Sequence, residues 1–189
     1  MFKDYPGVIK LSDEIFLYKN FISKEDAKTL HNICMNYPAE VWNSTTNPIE
    51  WYNGKTTIFL NEAKPLLEKV QNLVKDTHTP TPSLSFNRMF PGDSMHVHKD
   101  SCGEEEATAN DDFGTCSITE YGVVIYLNDC FNGGEIHYPE LNIEYKPVAG
   151  DLVIHHSMID HGVKEIIEGV RYTYTTFLVK NSLKDSMIL

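Results

Sequence analysis

The chain has 189 residues, enough for one domain with a substantial core and short for two. An apolar share of 41%, with nine Phe and ten Tyr, marks a globular chain rather than a disordered one. A formal charge of −11 argues against nucleic acid or an anionic membrane surface as partner, and no segment approaches the apolar length of a spanning helix.

The opening, MFKDYPGVIKLSDEIF, lacks a basic region followed by a continuous apolar run, so no secretory signal is expected. VIKLSDEIFLYKNFIS alternates and is rich in β-branched and aromatic residues, which predicts one or two strands. SKEDAKTLHNICMN follows as a helix, with Ser23 as its cap and Glu25 and Asp26 in the first turn, where carboxylates suit the helix dipole. Its apolar stripe is Ala27, Leu30, Ile33 and Cys34. The polar stretch from about 38 to 56 reads as irregular. NEAKPLLEKVQNLVKD reads as a second helix that packs Leu66, Leu67, Val70, Leu73 and Val74 on a sheet and tolerates Pro65 near its start. TPTP at 79–82 marks a break.

From Ser83 the pattern changes to short strands: SLSFNRMF, SMHVHKD, YGVVIYLND, GEIHYPE, NIEYKP, DLVIHHS and VRYTYTTFLV, with turns at PGD, NGG and AGD. Helices first and strands after, at roughly ten-residue spacing, predict an α+β fold that is mainly β, a sandwich or a barrel. One segment stands apart. SCGEEEATANDDFGTC, 101–116, is acidic and without periodicity, and reads as a surface loop or as a lid over a neighbouring site. Four cysteines (Cys34, Cys102, Cys116 and Cys130) show no C-x-x-C; reduced thiols and a cytoplasmic location are expected, with Cys102 and Cys116 the one pair placed for a disulfide.

MHVHKD, 95–100, sets His96, His98 and Asp100 two apart. In a strand such residues share a face, so His98 and Asp100 can present a nitrogen and a carboxylate oxygen to one point; a solvated strand edge is the plain alternative. GDLVIHHSMIDHGV offers His155, His156 and His161 as a third ligand. Alternation sends His155 and His156 to opposite faces, whereas His161 begins a new strand after a short turn. Two His and one carboxylate on one side of an ion leave the other positions open, the facial arrangement of non-haem Fe(II) oxygenases. Ten residues beyond His161 stands Arg171, on the same strand phase as Thr173 and Thr175. An arginine facing inward calls for an anion, and a carboxylate ligand fits its bidentate fork.

The ordered set H98-K-D100, D-H161-G-V and R171-Y-T resembles the iron- and 2-oxoglutarate-dependent dioxygenases, and among them the prolyl 4-hydroxylase-like group. FPGDSMHVHKD, VVIYLNDCFNGGEIHYP and KPVAGDLVIHHSMIDHGV are similar to that group's landmarks, and the likeness covers 83–180. The resemblance implies a double-stranded β-helix, or jelly roll. Residues 83–180 would form its core, and 1–82 would supply supporting helices and edge strands of the same single domain, 1–189. It further implies Fe(II) held by His98, Asp100 and His161, which are then the catalytic centre, and 2-oxoglutarate with its far carboxylate on Arg171. Tyr126 matches a position that hydrogen-bonds this carboxylate in some relatives, and reads equally well as a core tyrosine. The implied reaction consumes O2 and releases succinate and CO2 while an unactivated C–H bond is hydroxylated, with ascorbate as a possible reductant. Peptidyl proline is the family-level substrate; the acidic segment points to a basic peptide or protein, and a free amino acid or other small molecule is the alternative.

The chain also departs from the pattern. Collagen-type members carry lysine where Arg171 stands, and many relatives have tyrosine where this chain has Met89. His155 and His156 replace an aromatic and a proline and read as structural residues or as supports for the ligands. His96 reads as a residue of the pocket mouth or of the solvent face. Two other classes compete: a zinc hydrolase, which gives no reason for Arg171, and a cupin-like binding module, whose metal motif fits poorly.

Overall fold

The computed structural model describes residues 7–44, 52–53, 56–101 and 119–186. The alternating N-terminal stretch forms two strands, β1 (Val8–Lys10) and β2 (Ile15–Tyr18), paired antiparallel. Helix α1 (Lys24–Asn36) starts at the expected cap, where Ser23 Oγ accepts the Asp26 N–H at 3.0 Å. Ala27 and Cys34 of its stripe are buried, with Leu30 and Ile33 packed against the same core.

The stretch after α1 is less irregular than its polarity suggests. A single 3-10 turn, Ala39–Val41, precedes the two-residue strands β3 (Asn43–Ser44) and β4 (Tyr52–Asn53), and β5 (Thr56–Phe59) begins at its end. Partners distant in sequence impose these strands, which no local pattern announces. Helix α2 (Lys64–Val74) carries Pro65 in its first turn. Its buried stripe is narrower than expected: Leu66, Val70 and Val74 are buried, whereas Leu67 is half-buried at the margin. TPTP is only partly a break, because β6 (His78–Pro80) pairs with the last strand; a proline there is tolerated at a sheet margin.

The remaining strands are β7 (Ser85–Met89), β8 (Ser94–His98), β9 (Thr119–Tyr126), β10 (Asn132–Gly133), β11 (Ile136–Tyr138), β12 (Ile143–Tyr145), β13 (Leu152–His156), β14 (His161–Val163), β15 (Ile166–Glu168) and β16 (Arg171–Lys180). The strands β10 and β15, unanticipated from the sequence, pair as a small ribbon. The large sheet runs β1-β2-β13-β9-β16-β7-β5-β3, with β6 added to β16, and the smaller one runs β12-β11-β14-β8-β4. The architecture is α+β and mainly β, the expected jelly roll.

Both faces of the large sheet are covered, by different things. Phe16 and Tyr18, Val123 and Ile125, Leu152 and Ile154, and Tyr172 and Tyr174 share one apolar cluster with Leu66, Val70 and Val74 of α2. One residue out of phase, Ile15, Leu17, Tyr126 and Val153 join Ile136 and Tyr138 of β11 in a second cluster. The period-two alternation thus assigns one set to the helices and the other to the space between the sheets. The turn into β13 needs Gly150, whose φ of +90° places a would-be Cβ 2.5 Å from the Ile22 carbonyl oxygen.

The helix side should therefore govern stability without touching the cavity. Leu66→Ala is expected to cost about 2–5 kcal/mol in urea unfolding while divalent-metal affinity of the folded fraction stays unchanged. A loss of affinity would show that the two faces are coupled.

Candidate metal centre

The pairing of β14 with β8 sets His161 directly opposite His98, with ring centroids 4.5 Å apart. Both imidazoles are buried, and each Nδ1 faces the carbonyl two residues before it: His98 meets His96 O at 2.8 Å and His161 meets Ile159 O at 3.0 Å. A carbonyl only accepts, so Nδ1 carries the proton in each ring and Nε2 carries the lone pair. Asp100 follows β8 closely, and its N–H donates to Ser157 O at 2.8 Å, which fastens it to the turn that leads to His161. Its Oδ1 lies 3.6 Å from Nε2 of both histidines.

The three ligand atoms lie within 4.8 Å of one another. An ion bonded at about 2.1 Å needs neighbouring ligands roughly 3–3.5 Å apart, so a small contraction would close this trio on one cation. Protonation states suit that task. Burial opposes the Asp100 charge, but the hydrogen bond from His155, with His98 and His161 close by, holds its carboxyl well below the usual carboxylate range. Burial, reinforced by His155, pushes the His161 imidazole down to about 3, so at neutral pH it is an uncharged donor.

The other histidines separate as alternation predicts. His155 is buried on the cavity side of β13, and its Nε2 lies 3.0 Å from Asp100 Oδ2. His156 points the other way, against the Tyr121 ring, and its Nδ1 accepts the Met158 N–H at 3.2 Å. His96 is exposed, on the solvent side of its two readings.

One cavity is lined by Asp100, His155 and His161 together with Arg171 and Thr173. Arg171 is 4% exposed, and among the described residues no carboxylate meets it. Its Nη1 donates to the Met89 sulfur at 3.6 Å, and its Nε has no hydrogen-bond partner. Met89, opposite Arg171 in the β7–β16 register, thus replaces the expected tyrosine with a weak acceptor. Tyr126 is fully buried, its ring 5.1 Å from the guanidinium carbon, and its hydroxyl also has no partner. Burial lowers the Arg171 pKa and raises that of Tyr126, with each group opposing the other's shift. A buried guanidinium with so little compensation is costly, and an anion in this cavity would offset that cost.

Three contributors escape the sequence reading. Tyr138 Oη lies 3.2 Å from His155 Nδ1, and Asn87 links Thr57 and Thr175 on the sheet's cavity side at 2.8 Å each. Gly122 leaves room where a Cβ would lie 2.4 Å from Asp100 Oδ2. An isolated glycine inside a strand was the available signal for that close approach. Apart from Ser101, the acidic segment 101–116, with Cys102 and Cys116, lies outside the described residues.

Comparison with known proteins agrees with this geometry. A protein of Acanthamoeba polyphaga mimivirus, provisionally named prolyl 4-hydroxylase, is 23% identical over 125 residues, which is 66% of this chain. The chain spans about half, 46%, of that relative's length. A Pseudomonas putida prolyl-4-hydroxylase superposes with a TM-score of 0.66 at 18% identity, covering 89% of this chain and 93% of its own. A Trichoplax adhaerens prolyl hydroxylase, solved with a hypoxia inducible factor peptide fragment, gives 0.70 at 14% identity, covering 94% and 89%. At such identities these two likenesses speak for the fold. Residues 84–179, half of the chain, match the family itself, and the chain belongs to the 2OG-Fe(II) oxygenase superfamily.

Proposed function

We propose that the chain is an Fe(II)- and 2-oxoglutarate-dependent dioxygenase that hydroxylates an unactivated C–H bond, with peptidyl proline as its substrate. The observation that carries the reading is one cavity lined both by Asp100 and His161 of a two-histidine, one-carboxylate cluster and by a buried guanidinium that no carboxylate meets among the described residues. The first fits a divalent metal and the second fits the far carboxylate of a keto-diacid. In this reading His98 Nε2, Asp100 Oδ1 and His161 Nε2 hold iron. Arg171 pairs with the 2-oxoglutarate tail, and Tyr126 donates its hydroxyl proton to the same carboxylate. Bound iron and 2-oxoglutarate supply the oxidation, in which O2 is consumed, succinate and CO2 leave, and a substrate C–H becomes C–OH.

The chain's own residues bind, orient and exclude water. Arg171 holds the co-substrate's far carboxylate, while Ile136 and Val163 give the cavity an apolar wall that keeps bulk solvent off the reacting groups. No side chain is required as a general base. Family membership leaves the zinc hydrolase and the cupin-like module without support.

Ascorbate as reductant and a cytoplasmic location belong to the same proposal; the free thiols Cys34 and Cys130 suit a reducing compartment. So does the division of one domain into supporting segments, 1–82, and an oxygenase core, 83–180. No helix among the described residues is long and apolar enough to cross a membrane. Support for a peptide comes from what the relatives' names say of those proteins, and the charge of −11 favours a basic peptide or protein over nucleic acid.

Two experiments test the reading. Under anaerobic conditions, Fe(II) followed by 2-oxoglutarate should produce a visible charge-transfer band, and Arg171→Ala should weaken 2-oxoglutarate binding about 100-fold, the cost of leaving one partner of a buried ion pair alone. Absence of the band, or equal binding by the variant, would contradict the site. Separately, a panel of proline-containing peptides, basic and acidic, should stimulate succinate release, basic members most. Stimulation by a free amino acid or other small molecule instead would move the substrate to that class and leave the reaction type intact.

A further inference from the structure

We propose that His155 is a positioning residue that holds Asp100 in one-oxygen coordination, by engaging the carboxylate oxygen turned away from the metal. The inference rests on the reading of His98, Asp100 and His161 as metal ligands and goes beyond it, because His155 belongs to no ligand set. The two oxygens of Asp100 face different partners. Oδ1 lies 3.6 Å from each of the two ligand imidazoles, and Oδ2 lies 3.0 Å from His155 Nε2. A carboxylate whose second oxygen accepts a firm hydrogen bond resists swinging round to bind an ion through both, so a coordination position stays open.

The direction of that bond follows from the Asp100 carboxylate, which can only accept, so Nε2 of His155 is the donor. Tyr138 Oη lies 3.2 Å from His155 Nδ1. With the proton on Nε2, Nδ1 presents a lone pair and accepts from the Tyr138 hydroxyl. The order is the reverse of that in His98 and His161, whose Nδ1 atoms donate to carbonyls. The two sheets therefore bring together three neighbouring imidazoles in two opposite tautomers, two from the smaller sheet offering lone pairs and one from the large sheet offering a proton. His155 is 1% exposed, packed 4.1 Å from the His161 ring, and has no room to serve solvent.

Gly122 makes the contact possible. It stands opposite His155 in the β9–β13 register, and a Cβ there would lie 2.4 Å from Asp100 Oδ2 and 2.7 Å from His155 Nε2. The smallest residue occupies a spot from which a side chain would drive the pair apart.

The test is metal binding followed through Co(II), which reports ligand geometry in its visible bands without turnover. The wild-type chain should bind one Co(II) per chain. His155→Phe, which keeps an aromatic ring, should raise the dissociation constant about 10–100-fold and shift the Co(II) bands; His155→Gln, which can still donate to Oδ2, should restore most of the affinity and the wild-type spectrum. His155→Phe that folds, binds as tightly as wild type and shows the same bands overturns the positioning role while leaving the site reading intact. A wild-type chain that binds no Co(II) overturns both. Nitrogen-15 imidazole spectra of the unsubstituted protein give a second reading, needed if His155→Phe does not fold. His155 should carry its proton on Nε2, and His98 and His161 theirs on Nδ1; a proton on Nδ1 of His155 overturns the proposal.

Discussion

The antiparallel pairing of β14 with β8 is the constraint on which the site depends. It brings together two histidines separated by more than sixty residues of chain and sets their rings 4.5 Å apart. Asp100 joins them because the Ser157 carbonyl, in the turn just before β14, accepts its backbone N–H. Strand, turn and next strand thus place all three groups through backbone hydrogen bonds. A slip of one residue in either strand would turn a ring out of the cavity and dissolve the cluster.

The large sheet divides its labour between two faces. Toward the helices it presents aromatic and aliphatic side chains that bury well, and this face supports the fold. Toward the smaller sheet the same strands carry His155, Arg171 and Thr173, polar groups whose burial is unfavourable without partners. His155 has its partners within the protein, Tyr138 and Asp100. Arg171 and Tyr126 are less well served: the Arg171 Nε and the Tyr126 hydroxyl are buried without hydrogen-bond partners, which is a local cost to stability. An anion bound beside these groups would offset that cost.

Much of this was legible in the sequence, for identifiable reasons. Ser23 announces α1 because capping is local chemistry, and the alternation in DLVIHHS separates His155 from His156 because strand geometry has a period of two. The spacing of His98 and Asp100, and Arg171 at the head of its strand, carry their meaning in a few residues. Where the determinants are non-local, the sequence is silent. Short β3, β4, β10 and β15 form beside strands remote in the chain, and the half-burial of Leu67 at the margin of the α2 stripe depends on what the helix packs against. The bond from His155 to Asp100 spans 55 residues, and Gly122 matters only through what lies opposite it. Neither relation has a one-dimensional signature.

Crystals grown without oxygen, soaked with Fe(II) and 2-oxoglutarate and measured at the iron absorption edge, test the central claim most directly. The account predicts a single anomalous peak bounded by Nε2 of His98, Nε2 of His161 and Oδ1 of Asp100, with the keto acid reaching from the iron to Arg171. Iron bound elsewhere, or a keto acid that leaves Arg171 unpaired, would contradict it.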